Sequence, residues 1–275
     1  MELLSLAVEA AKEAGAFLTD HVGKIRSIEH KDGLARNLVS EIDKGSEAMI
    51  IRRIKARFPD HDVLAEESGS HGTRSEYRWI IDPLDGTTNF LHGVPIFSVT
   101  IAVDFKGSLV AGVTFDPTRN EIFTAEKGAG AFLNGARLRV TSASTLIESL
   151  MVTGFPYDLA ERQDRPLEHF SNFALEAQGI RRLGSAALDL AYVAAGRFDG
   201  YWEVSLNPWD VAAGVLLVEE AGGKVTNLKG GTLDLYAPQI VATNGKIHDA
   251  CIGVIGRVLN RSGAMGAHPS DRPSI

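Results

Sequence analysis

Asp82 and Asp85 stand three residues apart in Trp79-Ile80-Ile81-Asp82-Pro83-Leu84-Asp85-Gly86-Thr87-Thr88-Asn89-Phe90, where an apolar strand over Arg78–Ile81 runs straight into a turn. Pro83 fixes its own φ and pushes Asp82 out of the helical region. Two carboxylates on such a turn can converge with the Leu84 carbonyl between them, and three oxygens of that kind suit a hard cation such as Mg²⁺. Gly86 lets the backbone come close to a ligand. Thr87-Thr88-Asn89 can then open a short helix whose free N–H groups cradle a phosphate. A type I turn with an Asx cap is the bland alternative. Such a turn needs no second Asp, Pro and pair of Thr in order.

Three further segments are ambiguous alone. Ala65-Glu66-Glu67-Ser68-Gly69 alone reads as a solvated turn. In Asn207-Pro208-Trp209-Asp210-Val211-Ala212-Ala213-Gly214, Asp210 has the position of an acid that complements a helix dipole. In Leu183-Gly184-Ser185-Ala186-Ala187-Leu188-Asp189 the small residues either bring backbone amides to a ligand or permit close helix packing. Gathering Glu66, Asp82, Asp85 and Asp210 without cations would cost several kcal/mol, so the group makes sense as a metal cage. Two or more Mg²⁺ about 3.5–4 Å apart could clamp the attacking and leaving oxygens of a phosphoryl transfer.

The elements that must hold these side chains follow from the apolar period. Leu3, Leu4, Leu6, Ala7, Ala10, Ala11, Ala14, Phe17 and Leu18 predict an amphipathic helix over 2–22, and a second runs from Lys44 to Arg57. Strands follow over Phe97–Phe105, Leu109–Phe115 and Glu121–Ala125, with a tight turn at Asn134-Gly135. Beyond Thr145 the pattern alternates: strands near Ser149–Thr153, Ile180–Leu183, Phe198–Val204, Lys224–Asn227 and Gln239–Thr243, and helices over 166–178, 185–195, Val211–Glu220 and 246–260. The expected organisation is an α+β subdomain over 1–145, an α/β subdomain over 146–262 and a mobile tail over 263–275, rich in Gly, Ser and Pro.

Composition narrows the chemistry. The 275 residues carry 28 Lys and Arg against 35 Asp and Glu, a net charge of −7, which repels nucleic acid and anionic lipid. An anionic substrate therefore needs a local reversal of sign, which bound cations supply. The single Cys251 forms no internal disulfide and no multi-thiolate metal site. No signal sequence and no membrane-length apolar run is legible, so the expectation is a cytoplasmic protein without membrane or nucleic-acid partners. His71 and His92 read as solvated loop residues, not as zinc ligands.

Glu66-Glu67-Ser68, Asp82-Pro83-Leu84-Asp85-Gly86-Thr87-Thr88-Asn89 and Trp209-Asp210 leading into Ala-Ala-Gly together resemble the inositol monophosphatase family, over roughly residues 1–260. The stretch Gly184–Arg197 resembles its bacterial inositol-1-monophosphatase branch. The resemblance implies a layered α/β/α/β/α sandwich, a homodimer, two or three Mg²⁺ per site, and lithium sensitivity. Glu66, Asp82 and the Leu84 carbonyl would hold the first ion, and Asp82, Asp85 and Asp210 the second. Thr87 with Glu66 would orient the attacking water, and amides of Gly86 and Thr87 would bind phosphate. Gly184, Ser185, Ala186, Glu203 and Asp210 would meet a phosphorylated polyol, Arg181 would help hold it, and Asp43 matches an acid near a third metal.

The reaction expected is hydrolysis of inositol 1-phosphate by direct attack of water. An aspartyl-phosphate mechanism needs Asp-x-Asp, whereas here two residues separate the acids. Fructose 1,6-bisphosphate, 3′-phosphoadenosine 5′-phosphate and histidinol phosphate are alternative substrates on the same metal core. A non-catalytic regulatory binding role on this scaffold is the alternative of a different class.

Overall fold

The computed structural model describes residues 2–24, 28–30, 38–72, 74–159, 161–237 and 239–265. Helix α1 spans Glu2–His21, and after strands β1 (Ile28–His30) and β2 (Leu38–Ser40) helix α2 spans Glu41–Arg57. Ala7, Ala10, Ala11, Ala14 and Leu18 form the buried stripe of α1, and Ile50 and Ile54 that of α2. Arg53 on α2 ties the two helices together by pairing with Glu9 and Glu13. Helix α2 begins three residues before the expected Lys44. Ser40 caps it through Ile42 N–H, and Asp43 returns a bond to the Ser40 N–H, so the first turn is already satisfied.

These helices cover an eight-stranded sheet. Its strands are β3 (Asp62–Ala65), β4 (Gly69–His71), β5 (Tyr77–Asp85), β6 (Ser98–Phe105), β7 (Ser108–Asp116), β8 (Glu121–Glu126), β9 (Gly130–Leu133) and β10 (Ala136–Arg137), with the short helix α3 (Thr87–Leu91) after β5. The order is β10-β9-β8-β7-β6-β5-β3-β4, antiparallel except for the β3–β5 pair. A second sheet of five strands is built from β11 (Leu150–Thr153), β12 (Gly179–Arg181), β13 (Gly200–Glu203), β14 (Lys224–Thr226) and β15 (Ile240–Thr243), in the order β12-β11-β13-β15-β14.

Helices α4 (Pro166–Glu176), α5 (Ala186–Ala194), α6 (Pro208–Glu220) and α7 (His248–Met265) complete the chain. Helices α5 and α6 lie between the two sheets, while α4 and α7 pack together on the outer face of the smaller one. The result is the α/β/α/β/α sandwich that the family resemblance implied. A helix enclosed on all sides needs small residues where neighbours come close. A Cβ on Gly214 would lie 2.5 Å from Leu190 of α5, and one on Gly112 of β7 would lie 3.1 Å from Ala213 of α6.

Helix α7 continues through residues 261–265, past the expected end at 260, and 266–275 lie outside the described residues. Among the described residues no helix is long and apolar enough to cross a membrane.

Candidate active site

Strand β5 does not stop at Ile81 as its apolar run suggested; it continues to Asp85. Pro83 has no N–H to give the ladder, and the register slips there: Asp82 faces Thr100 and Asp85 faces Ser98. Three steps on β5 thus match two on β6. In a regular strand residues three apart point to opposite faces, but the extra residue returns Asp85 to the face of Asp82. The Ser46 hydroxyl holds the bulge by donating to the Pro83 carbonyl at 2.9 Å, and Leu84 N–H donates to Asp82 Oδ1 at 3.0 Å.

Both aspartates line a cavity of about 320 Å³, together with Glu66, Leu84, Gly86, Thr87, Gly184, Ser185, Ala186, Glu203 and Asp210. Each lies at a strand end or helix start. Glu66 follows β3, with its N–H on the Ile81 carbonyl of the parallel neighbour β5. Gly86, in the left-handed region at φ 92°, leads into α3. Ser185 caps α5, Glu203 ends β13, and Asp210 sits in the first turn of α6 accepting from Asn207 N–H at 2.7 Å.

The electrostatics are those of crowded, desolvated acids. Burial raises the Asp82 carboxyl well above its ordinary range, and Glu66, Asp85 and Asp210 push it further. Burial and Glu66 likewise raise Asp210. Asp85 is raised by burial to about 6, opposed by hydrogen bonds from Ser185 and the Ala187 N–H. Burial raises Glu203 to about 7, against a bond from the Tyr201 hydroxyl at 2.7 Å and the charge of Arg182.

Among the described residues no three His, Cys, Asp or Glu side chains are already arranged so that they could hold a metal ion. The donor chemistry nevertheless fits a hard divalent cation. Glu66, Asp82, Asp85, Asp210 and the Leu84 carbonyl present only oxygen, and no Lys or Arg leads the influences on Asp82 or Asp210. A cation there would turn their mutual repulsion into attraction.

The sequence profile of the Inositol monophosphatase family matches residues 1–258. The chain belongs to that family. It is 42% identical over 259 residues to an inositol-1-monophosphatase of Mesorhizobium japonicum, covering 94% of this chain and 97% of the relative. It is 43% identical to the Nus factor SuhB of Pseudomonas aeruginosa, covering 92% and 95% of the two chains. The solved inositol monophosphatase from Anabaena superimposes with a TM-score of 0.85 at 44% identity, covering 93% and 96%. Membership makes this chain a phosphatase of the inositol monophosphatase type.

Several residues stand differently from what the family resemblance implied. Arg181 is exposed, with Nη1 on the Ile180 carbonyl, and does not line the cavity; Arg182 does. Alternation explains the exchange, because consecutive residues at the end of β12 point to opposite sides. The Asp43 carboxylate is buried and already engaged: Oδ2 accepts from Ser40 N–H and hydroxyl, and Oδ1 from the Thr87 hydroxyl at 3.1 Å. It lies outside the cavity lining and holds Thr87 rather than facing an open metal site. The Thr87 hydroxyl also reaches the Leu84 carbonyl at 3.1 Å. The Ser185 hydroxyl donates to Asp85, so its hydrogen is committed inside the protein. Residues 31–37 lie outside the described residues.

Sequence reasoning missed Gly154, Tyr157, Arg182 and Asp189, all of which line the cavity. Gly154 is legible afterwards, because a Cβ there would fall 2.1 Å from Glu203 Oε2. Asp189 left a signal too, as the one acid in the apolar run Ala186–Ala194.

Proposed function

We propose that this chain is a Mg²⁺-dependent phosphomonoesterase acting on inositol 1-phosphate by direct attack of water. The observation that supports it most is the convergence of Glu66, Asp82, Asp85 and Asp210 with Thr87 on one cavity. Glu66, Asp82, Asp85, Asp210 and the Leu84 carbonyl would hold the ions. When bound, Mg²⁺ supplies positive charge that acidifies water and offsets charge on the phosphoryl and leaving oxygens. The Thr87 hydroxyl, its proton directed to Asp43 or Leu84 O, offers its oxygen lone pairs to orient the attacking water. Glu66 accepts the proton of that water. Amides of Gly86 and Thr87 bind phosphate oxygens, while Gly184, Ala186, Glu203 and Arg182 face the polyol. Two or three ions per site, lithium inhibition, a homodimer and a cytoplasmic location belong to the same proposal.

Phosphate release from inositol 1-phosphate, fructose 1,6-bisphosphate, 3′-phosphoadenosine 5′-phosphate and histidinol phosphate tests it, with Mg²⁺, with chelator, and with Mg²⁺ plus lithium. Preference for inositol 1-phosphate, abolished by chelator, is expected. Preference for another member keeps the metal acids and overturns the polyol assignment.

The similarity to a relative named as a Nus factor supports a second reading, a partner-binding role beside catalysis. An Asp85→Asn protein that loses phosphatase activity yet still binds such a partner would separate the two roles.

A further inference from the structure

Helix α5 carries one acid in an otherwise apolar or small sequence, Ala186-Ala187-Leu188-Asp189-Leu190-Ala191. Its neighbours Leu188 and Leu190 belong to the core between the sheets, whereas Asp189 lines the cavity beside Ser185 and Glu203. The Asp189 side chain is almost completely buried, and its Oδ1 has no hydrogen-bond partner. Buried polar atoms of native proteins are normally paired. A buried carboxyl oxygen without a protein partner carries a desolvation penalty that no hydrogen bond within the fold repays.

The usual structural duties of such a residue are already filled. Ser185 caps α5, with Oγ accepting from Leu188 N–H. Asp85 is held by Ser185 and the Ala187 N–H, and Glu203 by Tyr201. Among the charged groups around it, Glu203 acts on Asp189 most strongly, followed by Asp85 and Arg182. It lines the cavity together with Glu203.

We propose that Asp189 is a specificity-determining residue: its free carboxyl oxygen accepts a hydrogen bond from a hydroxyl of the polyol being dephosphorylated, directly or through one held water. The inference rests on the polyol-phosphate reading given above. Asp189 and Glu203 then form two acidic acceptors on one wall, which selects hydroxyl-rich phosphate esters. A site built to bond a hydroxyl discriminates against esters that lack it more sharply than an apolar wall does. A water-bridged contact serves the same end.

The test uses the full-length, Mg²⁺-loaded protein and two substrates, inositol 1-phosphate and 4-nitrophenyl phosphate, whose leaving group offers no hydroxyl to this wall. In Asp189→Ala, KM for inositol 1-phosphate is expected to rise about tenfold, while kcat/KM for 4-nitrophenyl phosphate stays within about twofold. Asp189→Asn, which keeps an acceptor oxygen in the same shape, is expected to lie between wild type and Asp189→Ala. The thermal midpoint of Asp189→Ala should be unchanged or higher, since the unpaired oxygen is removed. Parallel loss on both substrates with a lower midpoint would mean a structural role and overturn the proposal, as would an unchanged KM for inositol 1-phosphate. If the wild-type protein itself shows no preference for inositol 1-phosphate, the polyol reading fails first and this inference with it. Failure of Asp189 alone leaves the wild-type preference intact in the variant.

Discussion

The hydroxyl of Ser185, N-cap of α5, donates to Oδ2 of Asp85 on β5, joining residues 100 positions apart. One oxygen thus caps a helix through Leu188 N–H and orients the Asp85 carboxylate on the neighbouring sheet. Ala187 N–H donates to the same Asp85 oxygen at 2.9 Å. The start of α5 is therefore a supporting shell for Asp85.

Ser185→Ala is expected to weaken the apparent Mg²⁺ affinity by about 10–100-fold, the usual effect of removing an outer partner of a metal ligand. Titration of activity with Mg²⁺ reads this directly. An unchanged Mg²⁺ midpoint would remove Ser185 from the metal site.

Asp43 caps α2 and also holds Thr87, and two variants separate these roles. Ser40→Ala removes the cap and the hydroxyl bond to Asp43 Oδ2 but leaves Oδ1 on Thr87, and should cost about 1 kcal/mol of stability with kcat retained. Asp43→Ala should lower kcat about 100-fold as well, because the Thr87 hydroxyl loses the charged one of its two acceptors and keeps only the Leu84 carbonyl. Equal effects on kcat from both variants would contradict the assignment. Urea unfolding and steady-state kinetics supply the two readouts.

The raised carboxylates fix the direction of a pH effect. Burial raises Glu203 to about 7 in the folded protein from its ordinary 4.5, so between these values the folded state binds more protons than the unfolded. Its contribution is complete below the unfolded value and is lost as pH rises through the folded one. His61, His169 and His248 are lowered by burial, so they add a slope of opposite sign around their ordinary value of about 6.5, the same in wild type and in a Glu203 variant. In chelator, the thermal midpoint of wild type should therefore fall relative to that of Glu203→Gln as pH rises from about 4.5 to about 7. Added Mg²⁺ should raise the midpoint more at pH 8 than at pH 6, because cation binding needs the acids deprotonated.

Gly214 marks the contact of α6 with α5. Gly214→Ala would put a Cβ 2.5 Å from Leu190 and should destabilise the protein by about 1–3 kcal/mol through overpacking. A denaturation midpoint equal to wild type would show that the helix layer can spread. The same layer carries Asp210 and Ser185, so a measurable loss of kcat is expected alongside.

The helices, most strands and the acids that define the site were legible because each leaves a local mark. An apolar stripe at period 3.6 gave α1, alternation gave β6 to β8, and Asp82-Pro83-Leu84-Asp85-Gly86 stood out by residue type. Tertiary structure decided what depends on contacts distant in sequence. The bulge that turns Asp85 onto the face of Asp82 exists only against β6. Which of two adjacent arginines reaches the cavity depends on the parity of β12. The engagement of Asp43 with Thr87 spans 44 positions and two elements. An unpaired oxygen on Asp189 is visible only once every neighbour is in place. Sequence period fixes which face of an element is buried, because it follows from backbone geometry alone. Hydrogen-bond partners are fixed by how the layers stack, and no local pattern encodes that.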